Sequence, residues 1–394
     1  MVARARSCRP SRHASGRPMR VLHVITGLHA GGAEQQLASL LAHTRHDAEV
    51  ATMYAPGVIA DQIVARGFSV HNLGRPSQLD VRALPDLVRL MRRRKFDVVH
   101  THLYRACLYG RVAARLAGVA VVVATEHSLG DTQIEGRPTS WPVQQLYLAT
   151  ERLGHRTIAV SPASRQRLIA WGVPAARITV IPNGVDVARF AFNAAARRRL
   201  RAELNIAEHD VVFGSVGRLH PIKRHDLLLD GSADLLRGGG ASVVLVGRGP
   251  CEQDLRHQAA RLQIADRVHF LGERTDVRDL LSAMDVYVAP SAEEAFGLAV
   301  IEALCTGLPA VVGACPAIDG MDLTDVRRCS DGPTTRAALL ELHDRVRTRP
   351  QRPRLAPAPI VGHMDIARVA DSVDNLYQDI GTKGRLSAAG KALA

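Results

Sequence analysis

Two acidic residues bracket an almost wholly apolar run in EEAFGLAVIEAL: Glu294 lies near its start and Glu302 near its end. The preceding DVYVAPS is a candidate strand, and ligands bind beyond the carboxyl ends of strands in open α/β sheets. Glu294 would lie in the following loop, and Gly297 and Leu298 would begin a helix whose free N–H groups point toward the same crevice. The spacing predicts two carboxylates at one pocket, able to accept hydrogen bonds from pairs of sugar hydroxyls. The structural alternative is a surface acid followed by an acid that interacts with the helix dipole.

A second cluster of chemical groups occurs in VGRLHPIKR, where Gly217 ends a candidate strand and Arg218 and Lys223 follow five residues apart. Two cations near the carboxyl end of a strand can bind a diphosphate without a metal. Lysine is scarce in this arginine-rich chain, so a lysine at this loop indicates that a compact positive charge is required there. Ordinary surface charge is the simpler alternative.

A glycine-rich loop follows the first candidate strand in GLHAGGAEQ. Gly31 and Gly32 allow the backbone to approach a ligand closely, and the start of the next helix supplies free N–H groups suited to phosphate. The loop lacks the GxGxxG spacing, and turns of this kind need glycine in any case.

Metal chemistry has little support in the sequence. His100 and His102 form an HxH at the end of an apolar strand, but no acidic residue lies at metal-ligand spacing nearby, and the chain contains no DxD. We therefore expect no metal and no cofactor, because cations and helix termini can stabilise a leaving diphosphate.

Short apolar strands alternate with helical patterns along the 394 residues, and the alternation restarts after residue 208. Such runs predict parallel sheets covered by helices on both faces, so we expect two doubly wound, Rossmann-like domains in tandem. The predicted parts are a disordered basic leader (1–18), a first domain (19–185), a linker (186–208), a second domain (209–362), a crossover helix (363–380) and a disordered tail (381–394).

Composition limits the class of protein. The net charge is +13, with arginine clusters at 92–95 and 197–201, yet no zinc finger, basic zipper or aromatic-interleaved RNA-binding motif is present. The six cysteines form no CxxC pair and are expected to be reduced thiols in a cytoplasmic protein. No apolar run is long enough to span a bilayer or to serve as a signal-peptide core. The leader is arginine-rich, and Met19 is an alternative start.

Together these motifs resemble the retaining glycosyltransferases of family 4, which have the GT-B fold. Glu294 and Glu302 match E-x7-E, and Gly217, Arg218 and Lys223 match GRLxxxK. The likeness covers about residues 19 to 313 and includes GGAE, VVHTH, the segment 159–186, LVGRGP and VHFLG.

The resemblance implies a nucleotide-sugar donor in the second domain. Glu302 would bind ribose hydroxyls, Glu294 the hydroxyls of the transferred sugar, and the two cations the diphosphate. The remaining implied contacts are the amides of Phe296, Gly297 and Leu298 at the sugar and phosphate, Gly31 and Gly32 from the first domain, and His127 near the donor sugar. A core or loop histidine is the alternative for His127.

Two departures from the family pattern concern the donor side. Ala295 replaces the glycine that usually follows the first glutamate, and ACPAIDGMDLTDVRRCSDGP replaces the usual glycine-rich and acidic segment after Gly313. The sequence therefore does not identify the groups that complete the phosphate side of the pocket.

We thus predict a metal-independent hexosyltransferase that uses a nucleotide diphosphate sugar, with UDP favoured, in polysaccharide or glycolipid biosynthesis. Its acceptor would be a glycan, a lipid-linked or a small-molecule compound bound by the first domain, with candidate contacts in 127–141 and around Tyr104 and Arg105. The basic clusters fit a cytoplasmic enzyme in peripheral contact with anionic membrane at the inner face of the cell membrane. A nucleotide-sugar epimerase of the same fold is the alternative, and a nucleic-acid-binding protein would leave both glutamates unexplained.

Overall fold

The computed structural model describes residues 17–29, 31–54, 56–75, 80–130, 133–134, 137–348, 354, 356 and 358–392. The leader predicted for 1–18 therefore lies almost entirely outside the described residues.

The first half of the chain forms a seven-stranded sheet in which every pair of neighbouring strands is parallel. The two central strands are buried along their whole length because helices cover both faces of the sheet. In spatial order the strands are β3 (Ser69–Asn72), β2 (Asp47–Thr52), β1 (Arg20–Ile25), β4 (Val98–His102), β5 (Val121–Glu126), β8 (Arg156–Ala159) and β9 (Ile178–Val180).

Among the described residues, six α-helices connect these strands, and an antiparallel hairpin of two short strands follows β5. The helices are α1 (Gly32–His43), α2 (Val58–Ala65), α3 (Ala83–Arg94), α4 (Tyr104–Ala117), α5 (Trp141–Glu151) and α6 (Pro162–Trp171). The hairpin pairs β6 (Gln133–Ile134) with β7 (Arg137–Pro138).

The second half of the chain has the same architecture, with a six-stranded parallel sheet. In spatial order its strands are β12 (Val268–Phe270), β11 (Ala241–Val246), β10 (Val211–Val216), β13 (Val286–Ala289), β14 (Ala310–Val312) and β15 (Val326–Arg328). Its helices are α8 (His225–Arg237), α9 (Glu252–Arg261), α10 (Val277–Ala283), α11 (Leu298–Cys305) and α12 (Gly332–Thr348). Strand β15 lies in the irregular segment after Gly313, where no strand was predicted.

The linker contains α7 (Ala194–Glu203), whose Asn193 side chain accepts hydrogen bonds from two first-turn N–H groups. Two of its arginines serve the structure. Arg197 and Arg201 both form ion pairs with Asp285 of the second domain. These two side chains therefore do not belong to a free basic surface.

The chain ends with α13 (Ala358–Met364) and α14 (Ile366–Ala392). Helix α14 returns to the first domain, as expected, and its Val369, Val373 and Tyr377 pack with Val21 of β1 in one buried cluster. The predicted helix end at 380 is too early. Helical backbone continues to Ala392, through most of the stretch that was expected to be disordered.

Candidate functional site

Two of the chemistry-bearing residues of the second domain, Lys223 and Glu294, meet at the carboxyl edge of its sheet. β10 ends at Val216, and the short 3-10 helix Pro221–Lys223 follows it. β13 ends at Ala289 and leads to Glu294. These neighbouring parallel strands bring Lys223 Nζ into a hydrogen-bonded ion pair with Glu294 Oε1. The same oxygen accepts a 3.0 Å hydrogen bond from Ser291 Oγ, a residue that sequence reasoning missed.

The start of α11 lies directly after this acid. Gly297 caps the helix with φ +97°, a left-handed conformation that strains other residues. A Cβ at this position would also lie 2.4 Å from Cys315 Sγ. The amides of Val300 and Ile301 donate to the carbonyl of Gly297, at 3.0 and 3.3 Å. Helix geometry leaves the earlier N–H groups, those of Leu298 and Ala299, to bind an anion at this edge.

The irregular segment after Gly313 donates hydrogen bonds to the backbone of this loop. Cys315 Sγ and the amide of Ala317 both donate to the carbonyl of Phe296, at 3.4 and 3.0 Å. The amide of Ala314 donates to the carbonyl of Ser291 at 2.8 Å. The segment that departs from the family pattern therefore holds the backbone on both sides of Glu294.

Glu302 is the fifth residue of α11 and is partly exposed. Desolvation by the surrounding protein raises the pKa of its carboxyl to about 7, and the nearby positive charge of Arg189 opposes that shift. A carboxyl with this pKa changes charge near neutral pH, and it can accept hydrogen bonds from hydroxyl groups when ionised.

The loop that carries Arg218 packs against the loop after β11. The amide of Leu219 donates to the carbonyl of Arg248 at 3.0 Å. A Cβ on Gly249 would lie 2.1 Å from the carbonyl oxygen of Leu219, so this close approach requires glycine. Arg218 itself is exposed, and Gly217 lies between it and β10.

The first domain supplies the opposing surface. Gly31 caps α1, and Gly32 is its first residue. A Cβ built on Gly32 would lie 3.9 Å from Leu298 Cδ2, so the glycine-rich loop faces the first residue of α11. Gly32 therefore lies next to the second domain, whereas the atoms nearest to a Cβ on Gly31 belong to Glu34 of the first domain.

His127 is held by a chain of imidazoles that links β5, β4 and β1. His127 Nε2 lies 3.1 Å from His102 Nδ1, and His102 Nε2 lies 3.0 Å from His23 Nδ1. Burial lowers the pKa of His127 to about 4, opposed by a hydrogen bond with Asn183, so the imidazole is neutral at pH 7. Sequence reasoning missed His23 and Asn183, because only the fold brings them to His127.

His23, His100 and His102 have ligand atoms within 4.8 Å of one another, which is a possible metal-binding arrangement. His100 already bonds Tyr377 Oη at 2.5 Å and Thr125 Oγ1 at 2.7 Å. The imidazole–imidazole contacts occupy both nitrogens of His102. Hydrogen bonds within the protein therefore account for the placement of the His100 and His102 rings. A cavity of about 20 Å³, room for one water molecule, adjoins His100, His102 and His127.

Two family models match the chain: Glycosyltransferase Family 4 over residues 30–189 and Glycosyl transferases group 1 over residues 196–321. Their boundary falls in the linker that carries α7. Together the two models cover well over half of the chain.

Two curated relatives indicate the range of activities among similar proteins. The UDP-Gal:alpha-D-GlcNAc-diphosphoundecaprenol alpha-1,3-galactosyltransferase of Escherichia coli is 32% identical over 255 residues, which are 63% of this chain and 66% of that enzyme. The D-inositol 3-phosphate glycosyltransferase of Nocardia farcinica is 31% identical over 286 residues, which are 65% of this chain and 60% of that enzyme. The chain thus spans somewhat less than two thirds of the length of each.

Solved structures share the fold. HepE of Anabaena in complex with UDP and glucose has a TM-score of 0.80 and 22% identity, covering 92% of this chain and 100% of HepE. Sucrose-phosphate synthase from Thermosynechococcus elongatus has a TM-score of 0.73 and 20% identity, covering 93% and 100%. Among the described residues, no helix is long and apolar enough to cross a membrane.

Proposed function

Because the chain belongs to the family-4 type of glycosyltransferases with the GT-B fold, we propose that it transfers a hexose-type sugar from a UDP-sugar to an acceptor, with retention of anomeric configuration. One observation carries the proposal. The Lys223–Glu294 pair and the N-terminus of α11 share one sheet edge, and Gly32 of the other domain faces Leu298. The bound UDP in HepE and the UDP-Gal donor in the name of the Escherichia coli relative support the choice of nucleotide.

The charges at this edge suit the departure of a diphosphate. Lys223 and the exposed Arg218 would bind the phosphate oxygens, and the free N–H groups of α11 would add positive potential. A preorganised donor of this kind contributes roughly 3–4 kcal/mol to the stability of a transition state. Glu294, oriented by Lys223 and Ser291, would hold hydroxyls of the sugar, and Glu302 would hold those of the ribose.

We assign no covalent nucleophile. In the proposed reaction the bond between the anomeric carbon and the phosphate oxygen breaks while the acceptor oxygen attacks from the same face. The acceptor proton passes to the leaving phosphate oxygen, so no protein base is required. His127, neutral at pH 7, would contact the donor sugar as a hydrogen-bonding group.

A binding panel tests the donor. The thermal midpoint of the protein would be measured with UDP, GDP, ADP and their common sugars, with and without EDTA, because a ligand specific to the native state raises the midpoint. We expect a shift with UDP compounds that EDTA leaves unchanged and that Glu302→Gln reduces. Glu341→Gln, at a glutamate half exposed on α12, is the matched control. No shift with any nucleotide would refute the donor assignment, and loss of the shift in EDTA would refute the absence of a metal.

Product analysis tests the reaction. Proton NMR of the glycoside would show the same anomeric configuration as the donor if the enzyme is retaining. Conversion of the UDP-sugar without acceptor would instead identify an epimerase.

We propose that the acceptor is lipid-linked and that the enzyme works at the inner face of the cell membrane. The diphosphoundecaprenol acceptor in the name of the Escherichia coli relative and the net charge of +13 support this proposal. Flotation with liposomes would test it. We expect binding to vesicles that contain anionic lipid and none to neutral vesicles, and equal behaviour with both would refute the membrane contact.

A further inference from the structure

The first turn of α6, in the first domain, contacts the backbone of the Glu294 loop in the second domain. Ser161 Oγ lies 3.1 Å and Ser164 Oγ 3.3 Å from the carbonyl oxygen of Ala295. Each hydroxyl has one proton and the carbonyl oxygen has two lone pairs, so both can donate to it at once. Ser161 Oγ also lies 3.0 Å from Ser164 Oγ, so in the other arrangement Ser161 donates to Ser164 and Ser164 donates to the carbonyl. The two serines are 1% and 0% exposed, so water does not compete for these hydrogen bonds.

A third residue of the same helix face extends the contact. Arg167, one turn beyond Ser164, donates from Nη1 to the carbonyl of Leu129 at 3.3 Å and to that of Glu294 at 3.5 Å. Leu129 lies in the loop that follows His127. Helix α6 thereby connects the loop of one candidate site residue to the backbone of another.

The contact is made by other segments than those that pass between the domains. There, the amide of Val185 donates to the carbonyl of Met364 at 2.7 Å, and the amide of Ile366 donates to the carbonyl of Val185 at 3.0 Å. A Cβ on Gly184 would lie 2.8 Å from Ile366 Cα, so the two crossing segments are tightly packed. One such joint permits rotation of the domains about it, whereas a second point of attachment restricts that rotation.

We propose that Ser161 and Ser164 are positioning residues that form an interdomain latch on the Ala295 carbonyl and so place Glu294 when the domains close. Lys223 and Ser291 orient the carboxylate from within the second domain, and the latch holds its backbone from the first. Closure of the domains and placement of this acid are thereby coupled. The consequence for activity rests on the proposed function of Glu294, whereas the latch itself rests on the contacts alone.

Three substitutions separate the latch from the stability of α6. Ser161 also caps the helix, because its Oγ accepts a 3.1 Å hydrogen bond from the amide of Ser164. Ser161→Asp keeps a good N-cap but removes the donor and sets a carboxylate against the carbonyl. Ser164→Ala removes the second donor and leaves the cap in place. Ser161→Thr keeps both donor and cap.

A control reproduces the charge change without the interdomain contact. Asn193→Asp introduces a carboxylate at the N-cap of α7, where the side chain accepts from Ala195 and Ala196. It should behave like the wild type, because aspartate caps a helix as well as asparagine does.

Small-angle X-ray scattering and steady-state kinetics with a UDP-sugar provide separate readouts. We expect Ser161→Asp to increase the radius of gyration and to lower kcat by about tenfold or more, the loss typical of a buried hydrogen bond to a positioned group. Ser164→Ala should show a smaller effect in the same direction, and Ser161→Thr should retain the wild-type radius of gyration and kcat. UDP binding should weaken less than kcat, since the ribose contacts proposed for Glu302 are not touched.

Each outcome has a distinct meaning. A wild-type radius of gyration and kcat in Ser161→Asp would overturn the latch. A lower thermal midpoint of Ser161→Asp would show that this variant is destabilised. Ser164→Ala would then be the test, and a wild-type radius of gyration and kcat in that variant would overturn the latch. A wild type that neither binds UDP nor transfers sugar would refute the proposed function, while the scattering comparison would still test the latch.

Discussion

Lys223 and Glu294, 71 residues apart in sequence, form an ion pair at the carboxyl edge of the second sheet. Both side chains retain partial exposure, 28% and 18%, so a ligand can reach the pair. The cation proposed to neutralise a leaving diphosphate and the acid proposed to hold sugar hydroxyls thus orient each other.

The first prediction concerns this pair. Lys223→Met should lower kcat by about 100-fold or more, because it removes a preorganised positive charge from the leaving group. It should also leave Glu294 without its cationic partner. Steady-state kinetics would show the effect. For the double variant with Glu294→Gln, the increase in activation free energy should be smaller than the sum of the increases in the two single variants. Arg336→Met, which breaks an exposed ion pair with Asp234 in the same domain, is the control. Unchanged kcat in Lys223→Met would contradict the role of Lys223.

The second prediction concerns the pH dependence of nucleotide binding. Because the pKa of Glu302 is raised to about 7, its carboxyl is largely protonated at pH 5.5 and ionised at pH 8. If the carboxylate binds ribose hydroxyls, the affinity for a UDP-sugar, whose diphosphate has no group that titrates in this range, should rise between these pH values. Titration calorimetry across this range should show that dependence in the wild type and not in Glu302→Gln. A dependence that persists in the variant would assign it to another group.

The same group should affect stability in the opposite direction. A carboxyl whose pKa is raised from 4.5 in the unfolded chain to about 7 in the native protein stabilises the fold below pH 4.5. That contribution is lost as the pH rises through 7. Glu302→Gln should therefore raise the thermal midpoint more at pH 8 than at pH 5.5. An equal effect at both pH values would contradict the raised pKa.

The third prediction concerns the helix start at Gly297. Gly297→Ala should destabilise the protein by about 1–3 kcal/mol through its left-handed conformation, with a further loss from the contact with Cys315. Gly67→Ala is the matched control, because Gly67 has φ +88° and open space around it. Urea unfolding should show a larger loss at Gly297, and Cys315→Ala should recover part of it. Equal losses at the two glycines would show that the contact with Cys315 costs nothing.

The fourth prediction concerns the buried histidines. Burial lowers the pKa of His23 to about 3 and that of His127 to about 4, and it lowers the pKa of His100 and His102 well below 6.5. The unfolded chain binds these protons first, so the stabilising contribution is complete above pH 6.5 and is lost as the pH falls toward 4. Urea unfolding between these pH values should show a shallower decline in His102→Asn than in the wild type. His257→Asn, at an exposed position, should match the wild type; a shallower decline there too would exclude a specific effect of burial.

Much of the architecture was predictable because local patterns and global packing agree. Continuous apolar strands such as β5 require cover on both faces, and their alternation with helices leads to two parallel sheets. The positions of Glu294, Gly297 and Glu302 relative to β13 and α11 also followed from the sequence, since a strand end, a loop and a helix start occupy consecutive residues.

Contacts between distant segments could not be predicted. The pairing of Ser161 and Ser164 with Ala295 joins residues more than 130 positions apart in two domains. The imidazole chain requires the order of β1, β4 and β5 in the sheet. The length of α14 was underestimated because residues 381–394 were expected to be disordered. The hydrogen bond from Cys315 to Phe296 comes from a segment without a regular pattern.

The sequence by itself determined the two-domain fold and the acids, cations and glycines of the candidate site, because periodicity and strand-end chemistry are local properties. Only the tertiary structure decided the raised pKa of Glu302 and the lowered pKa of His127, the partner of Lys223 and the contact between the domains. The physical reason is that desolvation, ion pairing and hydrogen bonding depend on which distant groups the completed fold brings within a few ångströms.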